Sequence, residues 1–508
     1  MKEKVLLKKK NIIQLIGFIF FMLLISSIFS KVTYLFRNVG CERNHMISMG
    51  NEKLDMIYIG GSAAFVYWEP LKAWHDCGFT SYSYATSTIQ AENIEAYIKE
   101  ARKTQNPDLF VIGVRAFQYY SDDPNEGGLR NGTDGMDLTS LARYELLNDY
   151  FTNRNMPEDS DILSYYFDIA KYHTNTENLS SSEAWGYINN KGKSPYKGWE
   201  WFDLYGYLDT PLNFETEERA ELPENAVKIL KKLLDYCKKE KLKVLFVVCP
   251  YYITMEEEAK YNTIGDIIKS YGFDFLNANH YYDEMKIDFS TDFYNKNHVN
   301  LFGAEKYTQF LEEYLTMKYQ LPDHRDDSNY DSWNDDYQRF YEEHLIHEDI
   351  VTKLRLDVEA GKNIEVQMRS TENLAEWYAL ANDPRYKLLI TKANSIGLTS
   401  DMTFKKILHS WELNEVDSNQ MRVIQDSQIA YSNASENSLV FDGTAGVWND
   451  ISYRLSVENK TNTISVDGQE VISGQDGINV VVFDNNYRYV ADAVFIKLSD
   501  GQIQLVRE

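Results

Sequence analysis

The chain has 508 residues, which is more than a single domain of ordinary size contains. Its 52 Lys and Arg residues against 77 Asp and Glu residues give a net charge of −25. This charge argues against a nucleic-acid-binding protein, because such a protein needs a positive face. Hydrophobic residues make up 44% and aromatic residues 14% of the chain, which suits sizeable cores and argues against global disorder.

The first thirty residues predict a membrane anchor. Residues 11–30 are almost wholly apolar, and about 20 such residues span a bilayer core. Lysines precede them within residues 1–10, so the positive-inside rule keeps this tail in the cytoplasm. A cleaved signal peptide is the alternative, but Ile28 and Ser30 make a poor cleavage site. We predict a single-pass cell-membrane protein with a stalk at 31–54 and the bulk of the chain outside the cell.

The four cysteines carry no signature of a metal site. Cys41, Cys77, Cys237 and Cys249 have no C-x-x-C spacing and no paired histidines nearby, which argues against zinc. Outside the membrane a disulfide between them is allowed. The equal alternative is that the cysteines are small buried hydrophobic residues. We predict no cofactor.

Short apolar runs alternate with helical patterns between residues 55 and 320. The runs at 56–59, 109–114 and 243–249 are continuous, as is typical of strands buried on both faces. The clearest helical pattern lies at 223–241. Strands that alternate with helices predict an α/β fold with a parallel sheet flanked by helices.

Residues 321–375 predict an acidic connector that becomes helical around residues 333–354. Acidic segments of this kind are commonly solvated linkers. A metal site formed by His324, His344 and His347 is the minor alternative.

Residues 376–508 predict a second, β-rich sandwich domain. Runs that favour strands are separated by turn sequences, and the strongest strand pattern lies at 478–483. A further strand is predicted at 386–391 and a helix at 401–408.

The candidate catalytic residues are a serine and a histidine. Gly60-Gly61-Ser62 follows the first predicted strand, and ligands of open α/β sheets bind at the carboxyl ends of strands. A serine nucleophile needs a base within hydrogen-bonding reach. The best candidate is His298, on a loop before the last helix of the domain. Taken alone these signals are weak, because a Gly-Gly-Ser sequence is usually a turn and a lone histidine in a loop usually lies at the surface.

A family resemblance strengthens this pair. The stretch Tyr58-Ile59-Gly60-Gly61-Ser62-Ala63-Ala64-Phe65 resembles the nucleophile block of SGNH/GDSL-type hydrolases, in which the serine follows the first strand. Residues 292–305 resemble their last block, which carries the base. The resemblance extends over residues 55–320 and implies an SGNH-like fold with Ser62 as nucleophile and His298 as base.

Two further blocks agree with this family. Residues 83–87 stand where it places a backbone oxyanion donor, and residues 111–117 where it places another active-site block. The resemblance implies that the residues binding oxyanion or substrate are Gly61, Ala85, Thr86 and Arg115. A salt bridge at the sheet edge is the alternative role of Arg115.

The chain departs from the family pattern in the charged member of the site. The family aspartate three residues before the base is Asn295, which orients an imidazole but supplies no charge. Asp292, three residues further upstream, is a candidate replacement. The alternatives are a Ser–His dyad and a degraded, inactive site.

The nearest type in this family is the membrane-anchored proteins of bacterial cell-surface O-acylation, such as the D-alanyl-lipoteichoic acid transfer proteins and the alginate O-acetyltransferases. This likeness implies a serine-dependent O-acyltransferase or esterase acting on an envelope polysaccharide or teichoic acid. It also implies a membrane-bound O-acyltransferase partner. The alternative is a non-catalytic envelope protein that binds glycans or acts as a scaffold.

The C-terminal part resembles the interleukin-like EMT-inducer domain. The likeness is carried by Ile464-Ser465-Val466-Asp467-Gly468 and by the stretches 477–484 and 490–495. It implies a compact β-sandwich with flanking helices that binds a ligand or glycan. An unrelated β-sandwich is the alternative.

Overall fold

The computed structural model describes residues 53–508 and scattered residues between 12 and 36. Within 53–508 the residues not described are 137, 168, 181–193, 207, 209, 212–213, 394–400, 415–417, 447–450, 459, 486–487, 500–501 and 508. The chain divides into two compact units, Met1–Thr352 and Lys353–Glu508.

Among the described residues, no helix is long and apolar enough to cross a membrane. The predicted anchor at 11–30 includes residues outside the described part of the chain. The anchor therefore stays a prediction.

The first unit is built on a five-stranded parallel sheet. Its strands, in the spatial order β2-β1-β3-β4-β5, are β1 Met56–Gly60, β2 Ser81–Ala85, β3 Leu109–Gly113, β4 Val244–Val248 and β5 Asp274–Asn277. Strands β1, β2 and β4 are buried along their whole length, because helices cover both faces of the sheet. The predicted α/β fold with a parallel sheet is confirmed.

The helices of this unit follow the strands in chain order. They are α1 Ser62–Tyr67, α2 Pro70–Cys77, α3 Ala91–Ala101, α4 Arg115–Gln118, α5 Glu126–Thr133, α6 Leu141–Asn153, α7 Leu163–Tyr166, α8 Ile169–Tyr172, α9 Glu224–Lys239, α10 Met255–Ser270, α11 Tyr282–Met285 and α12 Leu301–Tyr319. The helix predicted at 223–241 is α9, with Pro223 at its N-cap and its apolar face buried. Helices α4 to α8, which also lie between β3 and β4, were not predicted individually from the sequence.

A short antiparallel pair of strands precedes the last helix of this unit. β6 Phe293–Asn295 pairs with β7 His298–Val299. Asn300 then caps α12 by accepting hydrogen bonds from two backbone N–H groups of its first turn. The ribbon and the cap together hold His298, which is the first residue of β7.

The second unit contains two antiparallel sheets. The six-stranded sheet has the order β10-β9-β8-β15-β16-β17 and the four-stranded sheet the order β11-β12-β13-β14. The strands are β8 Tyr386–Lys392, β9 Asn419–Gln425, β10 Gln428–Ser435, β11 Leu439–Ala445, β12 Ile451–Glu458, β13 Thr461–Val466, β14 Gln469–Gln475, β15 Ile478–Asp484, β16 Tyr489–Ser499 and β17 Gln502–Val506. The prediction of a separate β-rich C-terminal region is confirmed.

Helices accompany the six-stranded sheet. α13 Asp331–Ser370 begins in the first unit and ends in the second, and α14 Leu374–Ala381 and α15 Met402–Ser410 follow. One apolar cluster lies between these helices and the six-stranded sheet, and another lies between the two sheets. Strand β15 contributes to both clusters and is wholly buried, which explains its continuous apolar sequence. The helix predicted at 333–354 is confirmed, and it continues to Ser370.

Candidate active site

A cavity of about 370 Å³ lies at the carboxyl ends of the central parallel strands. Open α/β sheets bind their ligands at this edge. The cavity is lined by Tyr58, Gly61, Ser62, Ala63, Ala64, Thr88, Ile89, Gly113, Arg115, Ala116, Gln118, Tyr119, Val247, Cys249, Glu257, Asn297 and His298.

Ser62 reaches the cavity because α1 begins directly after β1. A Cβ atom at Gly60 would lie 2.9 Å from the Cβ of Ala64, so a side chain at this position would crowd the first turn of the helix. Ser62 is the first residue of α1, and its backbone N–H has no carbonyl within the helix to donate to. The hydroxyl and the N–H of this serine therefore lie together at the sheet edge.

His298 lies beside this serine although 236 residues separate them in the chain. Its Nε2 is 2.7 Å from Oγ of Ser62. Its Nδ1 is 3.1 Å from Oδ1 of Asn295 at the end of β6. Serine, histidine and asparagine thus form a continuous hydrogen-bonded row.

The donors around Asn295 assign the tautomer of the histidine. The backbone N–H of Asn297 can only donate, and it points at Oδ1 of Asn295 at 2.9 Å. The amide oxygen, not the amide nitrogen, therefore faces Nδ1 of His298. Nδ1 must then carry the proton, which leaves Nε2 free to accept the hydrogen of the Ser62 hydroxyl.

The histidine is a weak base in this environment. Burial, and after it the positive charge of Arg115, together lower the pKa of His298 from 6.5 to about 4. The ring of Phe202 packs edge-on against the imidazole with 5.5 Å between ring centroids. His298 is consequently neutral at pH 7, as a general base must be.

Arg115 and Tyr67 hold the loop that carries the base. The two terminal nitrogens of Arg115 donate to the carbonyl oxygen and to Oδ1 of Asn297, at 3.0 and 2.9 Å. The Tyr67 hydroxyl donates to the same carbonyl at 3.0 Å. The guanidinium also lies over the ring of Tyr251, 4.1 Å from its centroid. Arg115 therefore has a fixed position in the cavity wall.

Asp292 does not contact the histidine. Its buried carboxylate pairs with Nζ of Lys306 at 2.6 Å and accepts from the backbone N–H of Asp288 at 2.7 Å. The position at Nδ1 of His298 that Asp292 was predicted to fill is occupied by Asn295. The row therefore contains no carboxylate within the described residues.

Of the residues predicted to bind the oxyanion, Gly61 lines the cavity beside Ser62, and Ala85 and Thr86 are not among the residues that line it. Ala85 is fully buried in β2, and the N–H of Thr86 donates to the carbonyl of Gly60 at 3.2 Å. Among the described residues of this strand end, the cavity is lined by Thr88 and Ile89 instead.

Thr88 lines the cavity and was not predicted from the sequence. Its φ of 53° lies in the left-handed region, which a threonine rarely adopts. No hydrophobic or motif pattern predicts a left-handed threonine, because the conformation depends on the packing of the loop. Tyr119 also lines the cavity, and its hydroxyl donates to the carbonyl of Ile89 at 2.7 Å.

The inner wall of the cavity is a neutral network of hydroxyl and thiol groups. The hydroxyl of Tyr58 lies 3.0 Å from Sγ of Cys249 and 3.0 Å from the hydroxyl of Tyr307. Burial raises the pKa of the Cys249 thiol and of both tyrosines. The thiol is therefore protonated and does not compete with Ser62 as nucleophile.

The other cysteines and the histidines of the connector form no metal site in the described part of the chain. Cys77, Cys237 and Cys249 are free, and Cys41 lies outside the described residues. His324 pairs with Asp55, His347 with Asp203, and His344 packs against Trp201.

Fold and site together define an α/β protein with a serine–histidine pair at the carboxyl edge of a parallel sheet. No protein-family model, curated protein or solved structure matches the chain. The resemblances to SGNH-type hydrolases and to the EMT-inducer domain therefore stay predictions.

Proposed function

We propose that this protein is a serine-dependent esterase or O-acyltransferase, with Ser62 as nucleophile and His298 as base. The observation that carries the proposal is the 2.7 Å contact between Ser62 Oγ and His298 Nε2 inside a cavity, with the histidine held in the tautomer that accepts a proton. A nucleophile, a base and a residue that orients the base are the minimum for covalent acyl transfer.

The reaction has two balanced halves. Ser62 Oγ attacks the ester carbonyl while its proton moves to Nε2 of His298, and the proton then leaves with the departing alcohol. The acyl group is now on Ser62. Water or an acceptor hydroxyl attacks this ester, gives its proton to His298, and the proton returns to Ser62 Oγ. The N–H of Ser62 donates to the oxyanion in both halves.

The substrate class follows from the predicted anchor and the family resemblance. A catalytic unit outside the cell and tethered to the membrane would act on O-acyl groups of an envelope polysaccharide or teichoic acid. Transfer, as opposed to hydrolysis, needs an acyl donor, and a membrane-bound O-acyltransferase would supply it. The net charge of −25 gives no long-range attraction to an anionic polymer, so recognition must be local to the cavity.

The test is fluorophosphonate labelling of the full chain in detergent, followed by peptide mapping. We expect modification of Ser62 that is absent in Ser62→Ala and lost in His298→Ala. His280→Gln is the matched control, because His280 pairs with Glu258 away from the cavity and should not be needed for labelling.

An unlabelled but folded protein would contradict the enzyme proposal. The observation that favours the non-catalytic alternative is the neutral Asn295 in place of a carboxylate. Binding of glycans by the full chain, unaffected by Ser62→Ala, is what that alternative requires.

A further inference from the structure

Arg115 carries a positive charge at the cavity without a counter-ion. Among the described residues, no carboxylate lies within ion-pairing distance of its guanidinium, and its electrostatic neighbours are Tyr67, Tyr251, Tyr261 and Cys249. Charged groups away from bulk water are normally paired, because loss of hydration costs free energy. Arg115 therefore has no ion-pair partner within the described part of the chain, and an anionic ligand could fill that role.

The guanidinium also has N–H groups left with which to bind an anion. Each terminal nitrogen uses one N–H on Asn297, which leaves a second N–H on each. Nε is buried and has no hydrogen-bond partner in the described residues. A planar fork of this kind matches the two oxygens of a carboxylate or phosphate.

The one acidic residue among the cavity-lining residues has another role. Glu257 is part of the capping box of α10, where its carboxylate accepts from the N–H and the hydroxyl of Thr254. In this position Glu257 forms no ion pair with Arg115.

We propose that Arg115 is the receptor for an anionic group, a carboxylate or phosphate, carried by the ester on which Ser62 acts. This inference rests on the proposed function and names the substrate class of the same site. Arg115 and Ser62 line one cavity, so a ligand held by Arg115 lies beside the nucleophile. The acidic surface of the protein cannot attract such a ligand from a distance, and Arg115 supplies the recognition locally.

Binding of the anion also strengthens the base. The positive charge of Arg115 is one of the two causes that lower the pKa of His298. An anion on the guanidinium cancels that charge and raises the pKa of the imidazole. The site is therefore least basic when empty and more basic when a substrate of the right charge is bound.

The binding test uses the full chain carrying Ser62→Ala, which removes the nucleophile. Inorganic phosphate and glutarate are titrated separately by calorimetry, and the two arms distinguish a phosphate from a carboxylate ligand. We expect binding of at least one of them, weakened about tenfold or more by Arg115→Gln and less by Arg115→Lys, which keeps the charge. Equal binding of both anions with and without Arg115 would overturn the proposal.

The loop contact needs a separate control, because Arg115→Gln also frees Asn297. Tyr67→Phe removes the other hydrogen bond on the same carbonyl and leaves the charge in place. If Tyr67→Phe weakens anion binding as much as Arg115→Gln does, the effect comes from the loop and the anion site is refuted.

The substrate test compares three esters on the protein with Ser62 intact. 4-Nitrophenyl acetate is neutral, mono-4-nitrophenyl succinate carries its carboxylate on the acyl group, and 4-acetoxybenzoate carries it on the leaving group. Arg115→Gln should slow acylation by one of the charged esters about tenfold more than acylation by the neutral ester. An equal effect on all three would overturn the substrate assignment.

Failure of the two proposals can be told apart. A protein that fluorophosphonate does not label, but that binds phosphate or glutarate through Arg115, supports the anion site and overturns the esterase. Labelling of Ser62 in a protein that binds neither anion supports the esterase and overturns the anion site.

Discussion

At Asn295 a neutral amide occupies the position at which serine–histidine sites commonly carry a carboxylate. An amide in this position can present its nitrogen and force the wrong histidine tautomer. Here the N–H of Asn297 turns the oxygen towards His298 and prevents this error. The row is therefore correctly oriented but lacks the negative charge that stabilises the imidazolium formed during the reaction.

Asn295→Asp tests whether the missing negative charge weakens His298 as a base. The carboxylate can accept the same two hydrogen bonds, and its charge should raise the pKa of His298 from its value of about 4. We expect fluorophosphonate to label Ser62 about tenfold or more faster at pH 7, since a stronger base removes the serine proton more readily. Asn295→Ala, which leaves Nδ1 without a partner, should slow labelling. Slower labelling by the aspartate variant would contradict the inference that the missing negative charge weakens the base.

A second residue-scale feature is a carboxyl group buried away from the cavity. Glu312 on α12 is 3% exposed, and burial raises its pKa from 4.5 to about 8, with the charge of Asp76 as the next cause. Between these two values the folded protein holds a proton that the unfolded chain has lost. Stability should therefore fall as the pH rises from about 4.5 to 8.

Glu312→Gln should remove this dependence on pH. The free energy of unfolding of the variant should exceed that of the unsubstituted protein at pH 8.5 by on the order of 5 kcal/mol, and the two should converge near pH 4.5. Denaturant unfolding at several pH values measures this. Glu284→Gln is the control, because Glu284 is exposed and its charge is not among those that raise the pKa of Glu312, so its loss should leave the profile unchanged. A variant whose profile matches the original would show that Glu312 is ionised in the folded state.

At the scale of elements, the position of the nucleophile depends on the junction between β1 and α1. The helix begins two residues after the strand, and Gly60 approaches Ala64 so closely that a Cβ atom would lie 2.9 Å from the Cβ of Ala64. A displacement of α1 would move Ser62 away from His298, which belongs to β7. The strand–helix junction and the ribbon of β6 and β7 thus share control of one distance.

Gly60→Ala should separate the two elements. We expect a loss of stability of about 1–3 kcal/mol from overpacking, and labelling of Ser62 slowed about tenfold or more because the serine loses its alignment with the base. Gly127→Ala is the matched control, because the nearest atom to its Cβ would be 3.8 Å away. Unchanged labelling in Gly60→Ala would mean that the junction tolerates a side chain.

At the scale of the whole molecule, the residues of the candidate site all belong to the first unit. The second unit has its own apolar clusters between its sheets and beneath its helices. A unit with a core of its own can fold alone. The acyl chemistry should therefore not depend on the fold of the second unit.

Val481→Asp puts this to the test. Val481 is fully buried in β15, and an unpaired carboxylate there should unfold the second unit. We expect loss of one unfolding transition with no change in the rate at which Ser62 is labelled. Leu234→Asp, which buries the same charge in the first unit, should abolish labelling. Loss of labelling in Val481→Asp would show that the two units fold as one.

The sequence by itself determined the parallel sheet, the β-rich second region and the two residues of the candidate pair. Strands buried on both faces must be continuously apolar. Met56–Gly60 and Val244–Val248 can therefore be predicted from the sequence without tertiary information. The tertiary structure alone decided that Asn295 faces His298 while Asp292 pairs with Lys306, and that Thr88 replaces Ala85 and Thr86 in the cavity wall. These outcomes depend on which side chains meet across distant parts of the chain and on how a loop packs, and neither leaves a periodic pattern in the sequence.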